Sequence, residues 1–150
     1  DKATEAVFAL CTGFIHDNDD EPLSNYDKIL GEFISHKTPM ICVNPDLVVV
    51  KLDGRVIKCA GMIARKYEEM GGSVQWFGKP YPEIYKATAS LYPEIQLSRI
   101  LGIGHGPETD ILGASNFGLD SLFVSGGIMK GKSEESFPAV PTYSTGALSW

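Results

Sequence analysis

From Ser73 to Ser125 the chain alternates between strand-like and helix-like stretches, with short connections between them. Val74 to Phe77 reads as a strand, and Pro80 and Pro82 open a helix that runs through Leu91. Arg99 to Ile103 is a second strand, Glu108 to Phe117 a second helix and Asp120 to Ser125 a third strand. Strands separated by single helices pair in parallel, because each helix must carry the chain back to the same edge. The pattern therefore predicts an α/β fold with a parallel sheet and right-handed crossovers.

The first half reads differently. Ala6 to Thr12 and Met40 to Val43 are short apolar strands, and Leu47 to Val50 and Arg55 to Ile57 flank Asp53-Gly54, a hairpin turn signal. Ser24-Asn-Tyr-Asp27 reads as a capping box, with Tyr26, Ile29, Leu30, Phe33 and Ile34 at helical spacing behind it. Gly61 to Met70 is a helix stopped by Gly71-Gly72. These elements form a separate α+β lobe, so the expected division is residues 1–72 and 73–150. From Gly126 the composition turns to Gly, Ser and Pro, which reads as a loose tail with one short helix.

Composition excludes several classes. A hydrophobic share of 43% with 21% charged residues is that of a globular chain. A formal net charge of -6 without any Lys/Arg cluster argues against a nucleic-acid partner. No apolar stretch approaches the ~20 residues of a membrane span. Cys11, Cys42 and Cys59 are widely spaced and odd in number, which points to buried, reduced thiols and a cytoplasmic setting.

Two short segments carry chemistry. Lys79, in Phe77-Gly-Lys-Pro80, follows a strand directly, where an ammonium can neutralise a phosphoryl group or a carboxylate nucleophile. The second is Ile100 to Gly118, a strand, a polar loop and a helix, with Asp110 where the strand's carboxyl end opens. Ligands and metals collect at that edge of open α/β sheets. A dinucleotide-binding turn fails on spacing, since G-x-G-x-x-G needs glycine where Pro107 or Thr109 stands, and this disfavours a nicotinamide-dependent oxidoreductase. An acidic metal site remains, with Thr109 able to cap the following helix; the alternative is that Asp110 is an ordinary first-turn acid. Asp17-Asn-Asp19 imitates a nucleophile with its acid/base partner, but Gly13 interrupts the preceding strand and the partner strand ends in Asn44 instead of Ser or Thr. Cys59-Ala-Gly61 reads as close packing at a helix start.

Cys42-Val-Asn-Pro-Asp46, Cys59-Ala-Gly61, Trp76-Phe-Gly-Lys-Pro-Tyr-Pro82, Gly104 to Ile111 and the ending Pro141-Thr-Tyr143 to Trp150 together resemble the haloacid dehalogenase (HAD) superfamily, subfamily IIA. Relatives there include sugar phosphatases, p-nitrophenylphosphatases and pyridoxal-phosphatase-like proteins. The resemblance implies the second half of a Rossmann-like core in residues 73–150 and the later part of an α/β cap in residues 1–72. It implies a Mg²⁺-dependent phosphohydrolase acting on a small phosphorylated metabolite through an aspartyl-phosphate. Lys79 would steady the phosphorylated intermediate, Asp110 would be a metal ligand directly or through water, and Asn44 and Asp46 would select substrate from the cap. A homodimer through the cap is what the relatives suggest.

Two departures accompany the resemblance. The family's nucleophilic aspartate, its acid/base aspartate and its Ser/Thr phosphate ligand align upstream of Asp1, so this chain alone is expected to be inactive. His105 stands at the position of the first metal-binding aspartate, and imidazole is a poor ligand for a hard cation. A catalytically silent binding or regulatory protein on the same fold is the alternative that His105 favours.

Overall fold

The computed structural model describes residues 5–16, 21–51, 53–126 and 136–149. The Asp17-Asn-Asp19 motif and Trp150 lie outside them. The chain folds as α/β, with parallel sheets and helices, in two compact units, Asp1–Phe77 and Gly78–Trp150.

In the first unit, β1 (Ala9–Cys11), β2 (Met40–Cys42) and β5 (Val74–Trp76) form a parallel sheet in the order β1-β2-β5. Register pairs Cys11 with Cys42 and Cys42 with Trp76. The strands β3 (Val48–Val50) and β4 (Val56–Lys58) form the expected hairpin. Helices α1 (Asp27–Ser35) and α2 (Ala60–Glu69) supply Leu30, Ile63, Ala64 and Tyr67 to a core shared with Cys11, Met40 and Cys42. All three cysteines are buried. The buried Tyr67 hydroxyl donates to the Thr38 carbonyl at 2.6 Å, so burying the ring leaves no orphaned phenol.

Gly61 shows why the start of α2 needs a residue without a side chain. A Cβ there would overlap the Pro45 carbonyl oxygen and stand 2.8 Å from its carbon and 2.6 Å from the Asp46 carbonyl oxygen, and the Gly61 N–H donates to Asp46 O at 3.1 Å. The turn after β2 is thus clamped onto the helix.

The second unit contains β6 (Leu101–Gly104), β7 (Asp120–Val124) and β8 (Tyr143–Thr145), parallel and in that order. Helices α3 (Pro82–Ser90) and α4 (Leu112–Phe117) pack on each other, with the Tyr85 and Phe117 rings stacked at 5.7 Å. Ile111, Ala114 and Phe123 are buried, and Phe137 meets Phe123 edge-on at 4.9 Å.

Three features differ from the sequence expectation. The division falls between Phe77 and Gly78 instead of after Gly72, because β5 pairs with β2 and so belongs to the first unit's sheet. The tail beyond Gly126 contributes a strand, β8, whose three residues carry no apolar alternation long enough to read. Ser24 lies in a 3-10 turn (Leu23–Tyr26) and no side chain caps α1; Asp27 instead pairs with Lys66 on α2. Among the described residues no helix is long and apolar enough to cross a membrane.

Candidate functional site

Lys79 is the second residue of the second unit and is placed by that unit's own chain. The Tyr81 N–H closes a turn onto the Gly78 carbonyl at 2.9 Å, and Pro82 then starts α3. From this turn the Lys79 ammonium reaches the Asp110 carboxylate, whose Oδ1 accepts an N–H from Nζ.

Asp110 is fixed from the other side by the end of β6. The strand stops at Gly104, and after His105 and Gly106 the chain makes one π-helical turn, Pro107–Ile111, that runs into α4. Asp110 and Ile111 both donate to the Gly106 carbonyl, at 2.8 and 3.1 Å. This turn folds the Asp110 side chain back over the strand end, where Oδ2 accepts the N–H of His105 at 3.0 Å and of Gly106 at 2.9 Å. A Cβ on Gly104 would fall on the Asp110 carboxylate, so glycine is required for the fold-back. Thr109 was the expected helix cap; no side chain caps the turn, and Asp110 satisfies the loop amides instead.

The electrostatics follow from this geometry. Asp110 has a side-chain exposure of 12%, against 52% for Lys79. Burial alone would raise the Asp110 carboxyl, but the Lys79 hydrogen bond, the Gly106 N–H, the Lys79 charge and the His105 N–H together hold it below the usual carboxylate range. The Tyr85 hydroxyl, 3.4 Å from the Asp110 carbonyl, is pushed up by burial and then by the Asp110 charge.

The structure therefore brings Lys79, Asp110 and the His105 backbone together at the carboxyl end of β6. The His105 residue is exposed. Asn44 and Asp46 belong to the first unit, in the turn after β2, where Asn44 Oδ1 accepts the Asp46 N–H at 3.2 Å and both residues are half-buried. Sequence reasoning did not single out Tyr85; its place three residues into α3, six after Lys79, is the signal that could have found it.

Residues 76–149 match the family described as HAD-hydrolase-like. A haloacid dehalogenase-like hydrolase from Brucella suis 1330 is 36% identical, with a TM-score of 0.81, over 99% of this chain and 58% of its own length. A p-nitrophenyl phosphatase from Archaeoglobus fulgidus (19% identity, TM-score 0.76) matches over 98% of this chain and 56% of its own length. A 4-nitrophenylphosphatase from Thermotoga maritima (18%, TM-score 0.76) matches over 97% of this chain and 54% of its own. No curated protein matches the chain. The chain belongs to the haloacid dehalogenase-like hydrolase family. It spans between half and three-fifths of the length of these solved relatives.

Phosphatases of this family generally use Mg²⁺. The residues present do not fit that ion. Mg²⁺ takes oxygen ligands in near-octahedral geometry, whereas the loop offers the Asp110 carboxylate, already facing an ammonium and two amides, an imidazole, and an exposed Glu108 that does not gather with them as a metal site. Among the described residues no three His, Cys, Asp or Glu side chains gather as a metal site.

Proposed function

We propose that this chain is part of a phosphohydrolase acting on a small phosphate ester, in which a carboxylate nucleophile comes from a segment outside these residues. The observation that carries the reading is the Lys79–Asp110 pair at the carboxyl end of β6. An ammonium has three N–H donors. Asp110 takes one and fixes the nitrogen's position, which leaves the others for an anion that approaches the half-exposed side chain. Attack of a carboxylate oxygen on phosphorus would expel the alcohol and leave an acyl phosphate, whose added charge Lys79 is placed to offset. Water would then attack that intermediate and release phosphate.

The open side of β6 supports a supplied segment. Its only neighbour among the described strands is β7, and Leu101 and Ile103 are exposed along it. Parallel sheets are ordinarily covered on both faces, and an edge strand leaves a row of unpaired backbone groups for another segment to pair with. In this reading Asn44 and Asp46 contribute to substrate selection, and the substrate is a small phosphorylated metabolite.

The test is hydrolysis of p-nitrophenyl phosphate, and of a broad phosphate-ester panel, by a protein extended upstream of Asp1. Lys79→Met should then cost about 10²–10³-fold in kcat/KM. Absence of turnover across the panel, in both the extended protein and its His105→Asp variant, would sink the reading. His105 favours a second reading, a catalytically silent protein that binds phosphate esters. Binding without turnover in the same panel is its signature.

A further inference from the structure

We infer that the loop from Gly104 to Asp110 is held closed by the Asp110 carboxylate, which is neutralised by the Lys79 ammonium and takes no Mg²⁺, so that Asp110 serves here as a positioning residue. The family membership makes Mg²⁺ the expected occupant, and the donor set in this chain opposes it. Oδ2 of Asp110 accepts two backbone N–H groups and Oδ1 accepts Lys79, so every partner of the carboxylate presents positive charge to it. A dication at Oδ1 would stand against an ammonium, and one at Oδ2 would displace the amides that close the loop. Removing those amides from their acceptor is costly, because the carboxylate is largely buried. At the strand end beside Asp110 stands His105, whose imidazole is the wrong ligand for a hard cation, and the loop's other acid, Glu108, is exposed and forms no metal cluster with them among the described residues. The ammonium therefore supplies, from within the chain, the positive charge that a bound metal supplies elsewhere. Gly104 fits the same design, since the space beside the strand end is filled by the carboxylate itself.

This inference does not depend on phosphate-ester turnover, and its test needs none. The protein extended upstream of Asp1 is stripped with a chelator and its thermal unfolding followed with and without excess MgCl₂, alongside hydrogen exchange at the His105 and Gly106 amides. The expected result is an unchanged Tm and unchanged amide protection on adding Mg²⁺. Asp110→Asn should accelerate exchange at both amides equally in chelator and in Mg²⁺, a loss that a merely space-filling side chain would not produce. A site occupied at a hundred times its Kd would raise Tm by roughly 5–10 °C. A Mg²⁺-dependent rise of that order in the unaltered protein, removed by Asp110→Asn, would overturn the inference.

Discussion

Lys79 and Asp110 stand 31 residues apart in sequence and meet in one hydrogen-bonded ion pair, yet the two sides of the pair are unequal. Lys79 is half-exposed and gives one donor, while Asp110 is largely buried and accepts three. Removing the lysine should cost no more than an exposed ion pair, about 0.2–1 kcal/mol. Removing the carboxylate strips the acceptor from two loop amides and should cost about 1–3 kcal/mol. Urea unfolding of Lys79→Met and Asp110→Ala checks the order; a larger loss for the lysine variant would contradict the described loop.

The same pair makes stability depend on acid. Asp110 titrates below its ordinary value of 3.8 in the folded chain. A depressed carboxyl adds stability that is fully present above the unfolded pKa and is lost as pH falls through the folded one. The contribution should therefore be constant at neutral pH, start to decline near pH 4 and vanish at more acidic values. Comparing Tm against pH for the unaltered chain and Asp110→Asn isolates it. The two curves should converge below about pH 4, and a gap that widens with acid would reverse the assigned sign.

In the first unit the test falls on Tyr67. Its hydroxyl and the Thr38 carbonyl are both buried and 2.6 Å apart. Tyr67→Phe keeps the ring's packing and leaves that carbonyl without the donor, which should cost about 1–3 kcal/mol in chemical denaturation. Tyr85→Phe, whose hydrogen bond spans 3.4 Å, should cost less.

Much of this arrangement was legible in the residues. Alternating strands and helices indicated α/β, Asp53-Gly54 marked the hairpin, and Gly61 announced a close approach that the Pro45 and Asp46 carbonyls explain. Lys79 and Asp110 were both singled out, but their direct pairing was not foreseen, because nothing local encodes a contact across 31 residues. The fate of β5 was hidden for a related reason. A three-residue apolar strand fits either sheet, and only its pairing with β2 decides. Tyr143–Thr145 carries no periodicity of its own, so β8 exists through its pairing with β7.

Two glycines on β6 offer a graded probe of the strand end. Gly102 and Gly104 alternate with the exposed Leu101 and Ile103, so they share the opposite face of the strand. A Cβ at Gly102 would meet Ala114 Cβ at 3.0 Å, a contact that a small shift of α4 can relieve. A Cβ at Gly104 would overlap the Asp110 carboxylate, which cannot retreat without releasing the His105 and Gly106 amides and the Lys79 ammonium together. Gly104→Ala should therefore destabilise by about 1–3 kcal/mol, the usual cost of overpacking, and should speed exchange at both amides. Gly102→Ala should lose less and leave those amides protected. Equal losses with both amides still protected would mean that the carboxylate does not rest on the strand end.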